Sequence, residues 1–400
     1  MNVFLSGPFD YKGKGWGYAH YSYGFALDSF KHIAEQTDTI SGIFSYPFIV
    51  PEIRSRFRGI QKPIHISFLP PDVALVAPGA FNICVFAWEF DKLPKKSRER
   101  NGIFKKDYAE ALKRFDAVIT LSTYAQEALA SYGIESFVLP SATMKPLDVS
   151  NENIDDLTCY PLTTKTDYYT RQGITKTLKE VFDESPYEER FLYILNPHDI
   201  RKNFGNLVTA FNRFVIDHPN ATLILKMTAQ GDLTKLQETA FRREFPSFDE
   251  TFFKNVYFIP EKLSDEKLQL LMQSCETYIS PSRAEGQNLP LCEAMYSGRI
   301  TIAPDHTSMK DFVNANSTIL LDHHPWIIDS TTHKYYDFWG FSWYSVPEDT
   351  ILDALNKKMS LTSEEKQAII YTAKQNIENF SSETAVLAKW QSIKEELKLT

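Results

Sequence analysis

Two glutamates lie close to a predicted helix start in the stretch from Ser280 to Val313. The stretch reads SPSRAEGQNLPLCEAMYSGRITIAPDHTSMKDFV, with Glu285 and Glu293 eight positions apart. A strand ends at Ser280, a loop follows, and a helix begins near Pro290, because proline suits the first helical turn. Loop amides and a helix N-terminus favour an anion, whereas carboxylates accept hydrogen bonds from hydroxyl groups. A ligand with phosphate and hydroxyl groups fits both features, although Glu293, placed in the first helical turn, could instead be only a partner of the helix dipole.

Two cations follow a predicted strand in the segment NPHDIRKNFGNL. Arg201 and Lys202 lie between this strand and an apolar-striped helix, where they would bind a diphosphate and stabilise it as a leaving group. The alternative is a solvated helix start without a ligand. Lys226 ends the next predicted strand, ATLILK, at the edge where a binding face would lie.

The N-terminal half offers weaker candidates. Glu89 follows a predicted strand, in the sequence FAWEFDKLP, and is a polar candidate toward a sugar or an acceptor. The segment GPFDYKGKGWGYAH is a glycine-rich turn, in which Gly15 and Gly17 are candidates for close approach to a phosphate. It is neither a P-loop nor a G-x-G-x-x-G dinucleotide motif.

Two α/β units follow one another along the chain, because strand patterns alternate with helical patterns in both halves. We expect an N-terminal Rossmann-like domain at 1–188, including an insertion or linker at about 141–188. A second Rossmann-like domain is expected at 189–375, and a helix at 376–400 is expected to pack back on the first domain. Ligands bind at the carboxyl ends of strands in such sheets, so two facing sheets would enclose a deep cleft.

The composition limits the class of protein. The 400 residues include 43 Lys and Arg against 51 Asp and Glu, and the net charge of −8 argues against nucleic acid as the main partner. The four cysteines form no CxxC pair, and we expect no metal site. We find no signal-peptide pattern and no apolar run of membrane-spanning length, so a cytoplasmic protein is expected. A basic run at 92–106 could contact an anionic membrane surface, but a solvated helix face is the simpler interpretation.

The stretch at Ser280–Val313 resembles the signature of the retaining GT-B glycosyltransferases, family 4 in particular. The matching pattern is PS-x-x-EG-x-x-LP-x-x-EAM-x-x-G, which here includes both glutamates and Gly286. The resemblance is strong over about 190–320 and weak over the N-terminal half. It implies an α/β protein with the GT-B fold: two tandem Rossmann-like domains that face an interdomain cleft, with C-terminal helices.

The resemblance also implies residue roles. Glu285 would face the donor sugar and Glu293 would hold the ribose hydroxyls. The amides of Gly286, Gln287, Asn288 and Leu289 would reach the diphosphate and the sugar, although the family usually has Gly-Phe-Gly where this chain has Gly-Gln-Asn.

Other implied positions match less completely. Lys202 matches the family lysine, whereas the family arginine position falls on Pro197, so Arg201 would act from a neighbouring position. The glycines at Gly15 and Gly17 resemble the first-loop glycines that approach the donor phosphates. Backbone groups near Pro260 and Leu263 are candidates for the base.

The function implied is transfer of a sugar from a nucleotide diphosphate-sugar to an acceptor hydroxyl with retention, as in a hexosyltransferase. The nucleotide-sugar is a co-substrate, and neither a cofactor nor a metal is implied. A glycan, a glycolipid or a protein remains possible as the acceptor, and the oligomeric state is open. The alternatives are a sugar phosphorylase or nucleotide-sugar epimerase of the same fold, or a non-catalytic sugar-nucleotide binding module.

Overall fold

The computed structural model describes most of the chain. The described residues are 1–8, 19–45, 55–57, 59–95, 107–165, 168–169, 174–227, 233–247, 251–329 and 339–399. The candidates Gly15 and Gly17, and most of the basic run at 92–106, lie outside the described residues.

A six-stranded parallel sheet forms the centre of the N-terminal half. Its strands are β1 (Asn2–Gly7), β2 (Thr39–Ser45), β3 (Ile64–Phe68), β4 (Phe81–Phe86), β5 (Ala117–Thr120) and β6 (Phe137–Val138). They lie in the order β2-β1-β3-β4-β5-β6. Every position of β3 is buried, as expected for a strand of a parallel sheet that is covered on both faces.

An eight-stranded mixed sheet forms the centre of the C-terminal half. Its strands are β7 (Thr158–Thr163), β8 (Lys176–Thr177), β9 (Arg190–Leu195), β10 (Thr222–Met227), β11 (Phe252–Ile259), β12 (Thr277–Ile279), β13 (Ile300–Ala303) and β14 (Ile319–Leu320). They lie in the order β14-β13-β12-β9-β10-β11-β7-β8. The six strands from β9 to β14 pair in parallel, which is the doubly wound pattern that the sequence predicts.

The segment predicted as an insertion at 141–188 belongs largely to the second sheet. Strand β7 pairs antiparallel with β11, and β8 pairs antiparallel with β7. By strand pairing, the residues from Thr158 onward already belong with the second sheet, within the range that the sequence assigned to the first domain. Antiparallel strands near the edge of a sheet need no long apolar run, so this largely polar segment lacked the apolar pattern by which the other strands were predicted.

Helices cover the sheets. They are α1 (Ala19–Ala34), α2 (Tyr108–Leu112), α3 (Thr123–Ala130), α4 (Leu178–Asp183), α5 (Phe204–Asp217), α6 (Leu233–Leu236), α7 (Arg242–Glu244), α8 (Asp265–Gln273), α9 (Leu289–Tyr296), α10 (Glu348–Ser360), α11 (Ser363–Ser381) and α12 (Glu383–Glu396). A π-helical segment at Gln237–Phe241 joins α6 to α7. The apolar stripe predicted on α5 is confirmed, because its six members are buried: Phe204, Leu207, Val208, Phe211, Phe214 and Val215.

The last helix, α12, packs on the N-terminal half. Trp390 is fully buried, with its ring 5.0 Å from that of Phe30, and its indole N–H donates a hydrogen bond to Asp38 at 3.0 Å. The sequence placed this contact in a helix at 376–400, whereas α12 itself begins at Glu383. The chain thus crosses twice between its two halves, and this second crossing fixes them to each other.

An aromatic hairpin also bridges the two halves. Its strands are β15 (His324–Ile327) and β16 (Ser342–Ser345). Trp343 is fully buried and lies against Phe90 of the N-terminal half, with the ring centroids 6.5 Å apart. The main-chain N–H of Ser342 donates to Asp91 at 2.6 Å. The hairpin therefore supports the loop that follows β4, which carries Glu89.

Candidate active site

A cleft of about 460 Å³ lies between the two sheets. Its lining residues follow the carboxyl ends of strands from both halves, which is where ligands bind in open α/β sheets. The N-terminal half contributes the turn after β4, including Ala87, Trp88 and Glu89, and the C-terminal half contributes the loops after β9 and β12. Nine of the predicted site residues line this cleft: Glu89, Arg201, Lys202, Glu285, Gly286, Gln287, Asn288, Leu289 and Glu293.

The loop after β12 has asparagine at position 288, where the family pattern has its second glycine. Asn288 has φ 63° and ψ 57°, in the left-handed region, and its side-chain amide donates to Ser280 Oγ at 3.0 Å. Asparagine tolerates this conformation better than other side chains do. Asn288 therefore replaces the glycine at the start of α9.

Replacing Asn288 with alanine should lower the free energy of unfolding by about 1–2 kcal/mol, because alanine pays the steric cost of the left-handed region. Asn288→Gly should lose less, since glycine adopts this conformation freely. Urea denaturation measures both. Asn255→Ala is the matched control for the backbone effect. Asn255 also has a left-handed φ, of 54°, but it lies outside the cleft lining. An equal loss for Asn288→Gly and Asn288→Ala would show that the backbone conformation is not the cause.

Three carboxylates surround two cations in the centre of the cleft. Lys202 Nζ lies 2.5 Å from Glu285 Oε1. The Arg201 guanidinium donates to Asp199 Oδ2 at 2.7 Å and also to Glu89, across the cleft. Burial raises the pKa of Glu89 above its ordinary value, and the Arg201 charge opposes that shift. The two cations are thus held in place before any ligand binds.

Glu293 differs from these carboxylates because no side-chain hydrogen bond or ion pair engages it among the described residues. Burial, with a smaller contribution from the nearby Asp265, raises the pKa of Glu293 to about 7. Because α9 begins at Leu289, Glu293 lies in the second turn, not in the first turn that the sequence predicted. A residue in the second turn is a poorer partner for the helix dipole, so its place in the cleft needs another explanation.

Two residues of the loop after β12, Gly286 and Gln287, contact the N-terminal half. Gly286 faces the turn after β4, where an added Cβ would lie 3.9 Å from Ala87 Cβ and from Glu89 Oε2. The Gln287 side chain hydrogen-bonds the main chain of Ser141. The loop predicted to bind the donor therefore also forms part of the contact between the two halves.

Three predicted residues do not line the cleft in the described part of the chain. Lys226 is fully buried at the end of β10, and burial lowers its pKa to about 8. Leu263 packs in the core of the C-terminal half, and Pro260 lies outside the lining. Of the basic run, Lys92 donates to Gly340 O at 2.6 Å, so it supports the aromatic hairpin.

Sequence reasoning missed several lining residues, among them Asp199, Asn196, Ser141 and Asp265. Asp199 had a local signal, because it precedes the cations by two and three positions and its side chain accepts from the Arg201 main-chain N–H at 3.1 Å. Ser141 had none, since it lies in a polar segment far from the loop it meets. Within the described ranges, no group of three or more His, Cys, Asp or Glu side chains is arranged to hold a metal ion. No helix in those ranges combines the length and apolar character needed to span a bilayer.

Comparison with known proteins shows what this chain is similar to. Residues 179–326 match the family of glycosyl transferases group 1. No curated protein matches the chain. Two solved structures align over their whole length: Anabaena HepE, in complex with UDP and glucose (13% identity, 100% of both chains, TM-score 0.61), and sucrose-phosphate synthase from Thermosynechococcus elongatus (11% identity, 100% of this chain and 99% of that chain, TM-score 0.62).

A third similar structure is longer than this chain. The pneumococcal O-GlcNAc transferase GtfA, in complex with UDP and GlcNAc, aligns with 87% of this chain at 15% identity and a TM-score of 0.52. This chain covers 59% of that protein. At these identities the similarity establishes the fold, and the family match covers the loops that carry both cations and both glutamates. Residues 179–326 are therefore similar to the group 1 glycosyl transferases, and the whole chain has the GT-B fold.

Proposed function

We propose that the chain transfers a hexose from a nucleotide diphosphate-sugar to an acceptor hydroxyl, with retention of the anomeric configuration and without a metal ion. The observation that carries the proposal is the pairing of Arg201 and Lys202 with carboxylates at the centre of the cleft, beside the N-terminus of α9. A diphosphate would exchange these carboxylates for its own oxygens. The solved structures that contain UDP with a sugar, HepE and GtfA, make UDP the first nucleotide to test.

Each group has a separate role in the bound donor. Lys202 and Arg201 bind the diphosphate, and the loop amides from Gly286 to Leu289 complete its coordination. Glu293 accepts hydrogen bonds from the ribose hydroxyls, which provide the donors that its carboxylate lacks in this structure. Glu285, released from Lys202, faces the sugar.

The transfer step needs stabilisation of the leaving group above all. The bond between the anomeric carbon and the β-phosphate oxygen breaks, while a bond to the acceptor oxygen forms on the same face of the sugar. The leaving oxygen takes the acceptor proton, and the products are a nucleoside diphosphate and a glycoside of retained configuration. The two cations stabilise the negative charge that develops on the diphosphate.

The acceptor enters from the N-terminal side. That wall of the cleft is mostly aromatic, with Tyr23, Phe86, Trp88 and Tyr108 among its residues, and Glu89 is its carboxylate. A hydroxylated acceptor such as a glycan can pack on aromatic rings and donate to Glu89 once the diphosphate has replaced Glu89 as the partner of Arg201. A glycolipid or a glycosylated protein would present the same groups.

Thermal unfolding with UDP, GDP, ADP and dTDP tests the donor site. A nucleotide at about 100 times its dissociation constant should stabilise the wild-type protein by about 2.7 kcal/mol. Glu293→Gln should lose most of this effect, because an amide is a weaker acceptor for two ribose hydroxyls. Glu378→Gln, in the exposed part of α11, is the matched control and should respond as the wild type does. If no nucleotide stabilises the folded wild-type protein, the proposed donor is wrong.

A further inference from the structure

The side chain of Gln287 links the two halves of the molecule inside the cleft wall. Its Oε1 accepts from the main-chain N–H of Ser141 at 2.8 Å, and its Nε2 donates to the carbonyl oxygen of the same residue at 2.7 Å. Gln287 is 4% exposed and Ser141 is 5% exposed. The two hydrogen bonds engage both the oxygen and the nitrogen of the side-chain amide and both polar main-chain groups of Ser141, in the manner of two paired strand residues.

This contact exists only while the two halves are together. Ser141 follows β6 of the N-terminal sheet, and Gln287 lies in the loop that leads into α9. Separation of the halves breaks both bonds at once and transfers four polar groups to water. Because buried polar groups strongly favour being paired, the contact favours the closed cleft.

We expect the Gln287 contact to outlast ligand binding, unlike the ion pair between Arg201 and Glu89. A diphosphate would compete for the Arg201 charge and weaken that contact. The pairing of Gln287 with Ser141 is uncharged, so a diphosphate would compete for it much less. Its neighbour Asn288 is bound within the C-terminal half, through Ser280 and Met309. Gln287 thus provides a polar link from the donor loop to the opposite half.

We propose that Gln287 is a positioning residue that holds the donor loop against Ser141 in the closed cleft and thereby keeps water from the activated sugar. The proposal rests on the transferase function proposed above. Its consequence concerns the fate of the donor: a closed cleft directs the sugar to the acceptor, whereas an open cleft admits water, which hydrolyses the nucleotide-sugar to free sugar and nucleoside diphosphate.

The test compares hydrolysis with transfer in Gln287→Ala. Loss of two hydrogen bonds should raise the ratio of donor hydrolysis to sugar transfer by about tenfold. The maximum dimension in small-angle X-ray scattering of the ligand-free protein should increase as well. Gln287→Glu keeps the shape of the side chain but places an anionic oxygen against the Ser141 carbonyl, so it should open the cleft as Gln287→Ala does.

Gln237→Ala is the matched control. Gln237 is also a buried glutamine, 2% exposed, and its Nε2 donates to the carbonyl oxygens of Thr163 and Lys165 within the C-terminal half. It should reduce stability without changing the hydrolysis ratio or the scattering. Wild-type values of both quantities in Gln287→Ala and Gln287→Glu would overturn the proposal. Failure of the wild-type protein to bind any nucleoside diphosphate would instead overturn the proposed function, since the scattering test needs no ligand.

Discussion

Replacing Lys202 with alanine should lower the kcat of sugar transfer by about 10²- to 10³-fold, as removal of one group that stabilises developing charge typically does. Lys202 is the cation that meets Glu285 at 2.5 Å, and it matches the lysine of the family pattern. Because the charge on the diphosphate grows as its bond to the sugar breaks, the loss should affect kcat more than KM. Steady-state kinetics with the donor identified by thermal unfolding measures both constants.

Two further variants separate chemistry from folding. Lys310 likewise pairs with a glutamate, here Glu127 of the N-terminal half, at 2.7 Å, but it lies outside the cleft lining. Lys310→Ala should therefore leave kcat unchanged. Lys202→Ala leaves Glu285 buried without its cation, so the double variant Lys202→Ala with Glu285→Gln should recover stability while activity stays low. If Lys202→Ala alone keeps a kcat within about twofold of the wild-type value, Lys202 does not stabilise the transition state.

The grouping of the proposed donor residues in one cleft was predictable because one short segment carries most of them. Glu285, Gly286 and Glu293 belong to a single strand-loop-helix unit, whose spacing places them on one edge of the sheet whatever the rest of the chain does. The family usually has a glycine at position 288, where this chain has asparagine. Asn288 adopts a left-handed conformation that glycine also adopts freely, which a motif comparison alone does not reveal.

The contacts between the halves were not predictable in the same way. Glu89 was a candidate for a polar role, but its partner Arg201 is 112 positions away, and Ser141 is 146 positions from Gln287. No periodicity links such positions, since they depend on how two separately folded sheets meet. Gln287 was predicted to offer its main-chain amide to the donor, and nothing in the sequence indicated that its side-chain amide binds the main chain of Ser141.

Lys226 shows a different limit of predicting site residues from sequence. Its place near the end of a predicted strand suggested a binding face, yet the side chain is fully buried. Successive strand residues point to opposite faces of the sheet, and a strand in the middle of a doubly covered sheet buries both faces. A residue near the end of a strand therefore indicates a binding site only when the loop that follows lines the cleft. The loops after β4 and β9 do so.

Wild-type protein should lose stability relative to Glu293→Gln as the pH rises from about 4.5 to about 7. Glu293 has a pKa of about 7 in the folded protein, against an ordinary value of 4.5, so the folded state holds this proton more tightly than the unfolded state does. Stability falls with pH wherever the folded state binds more protons, and the loss ends once both states are ionised. The shift corresponds to roughly 3 kcal/mol as an upper value, because water in the cleft screens the charge.

Urea denaturation of the wild-type protein and Glu293→Gln at several pH values between 4 and 8 measures the effect. The difference between their free energies of unfolding removes the contribution of all other titrating groups. Asp265→Asn should reduce the loss, since the Asp265 charge is one cause of the raised pKa. Parallel stability curves for wild type and Glu293→Gln would show that Glu293 ionises as freely as an exposed carboxyl, and its role in holding ribose would lose its electrostatic basis. A loss of wild-type stability relative to Glu293→Gln as the pH rises, with the glutamine variant also failing to respond to nucleotide, would mean that an unpaired carboxylate is retained in the cleft at a cost in stability because the ligand supplies its missing donors.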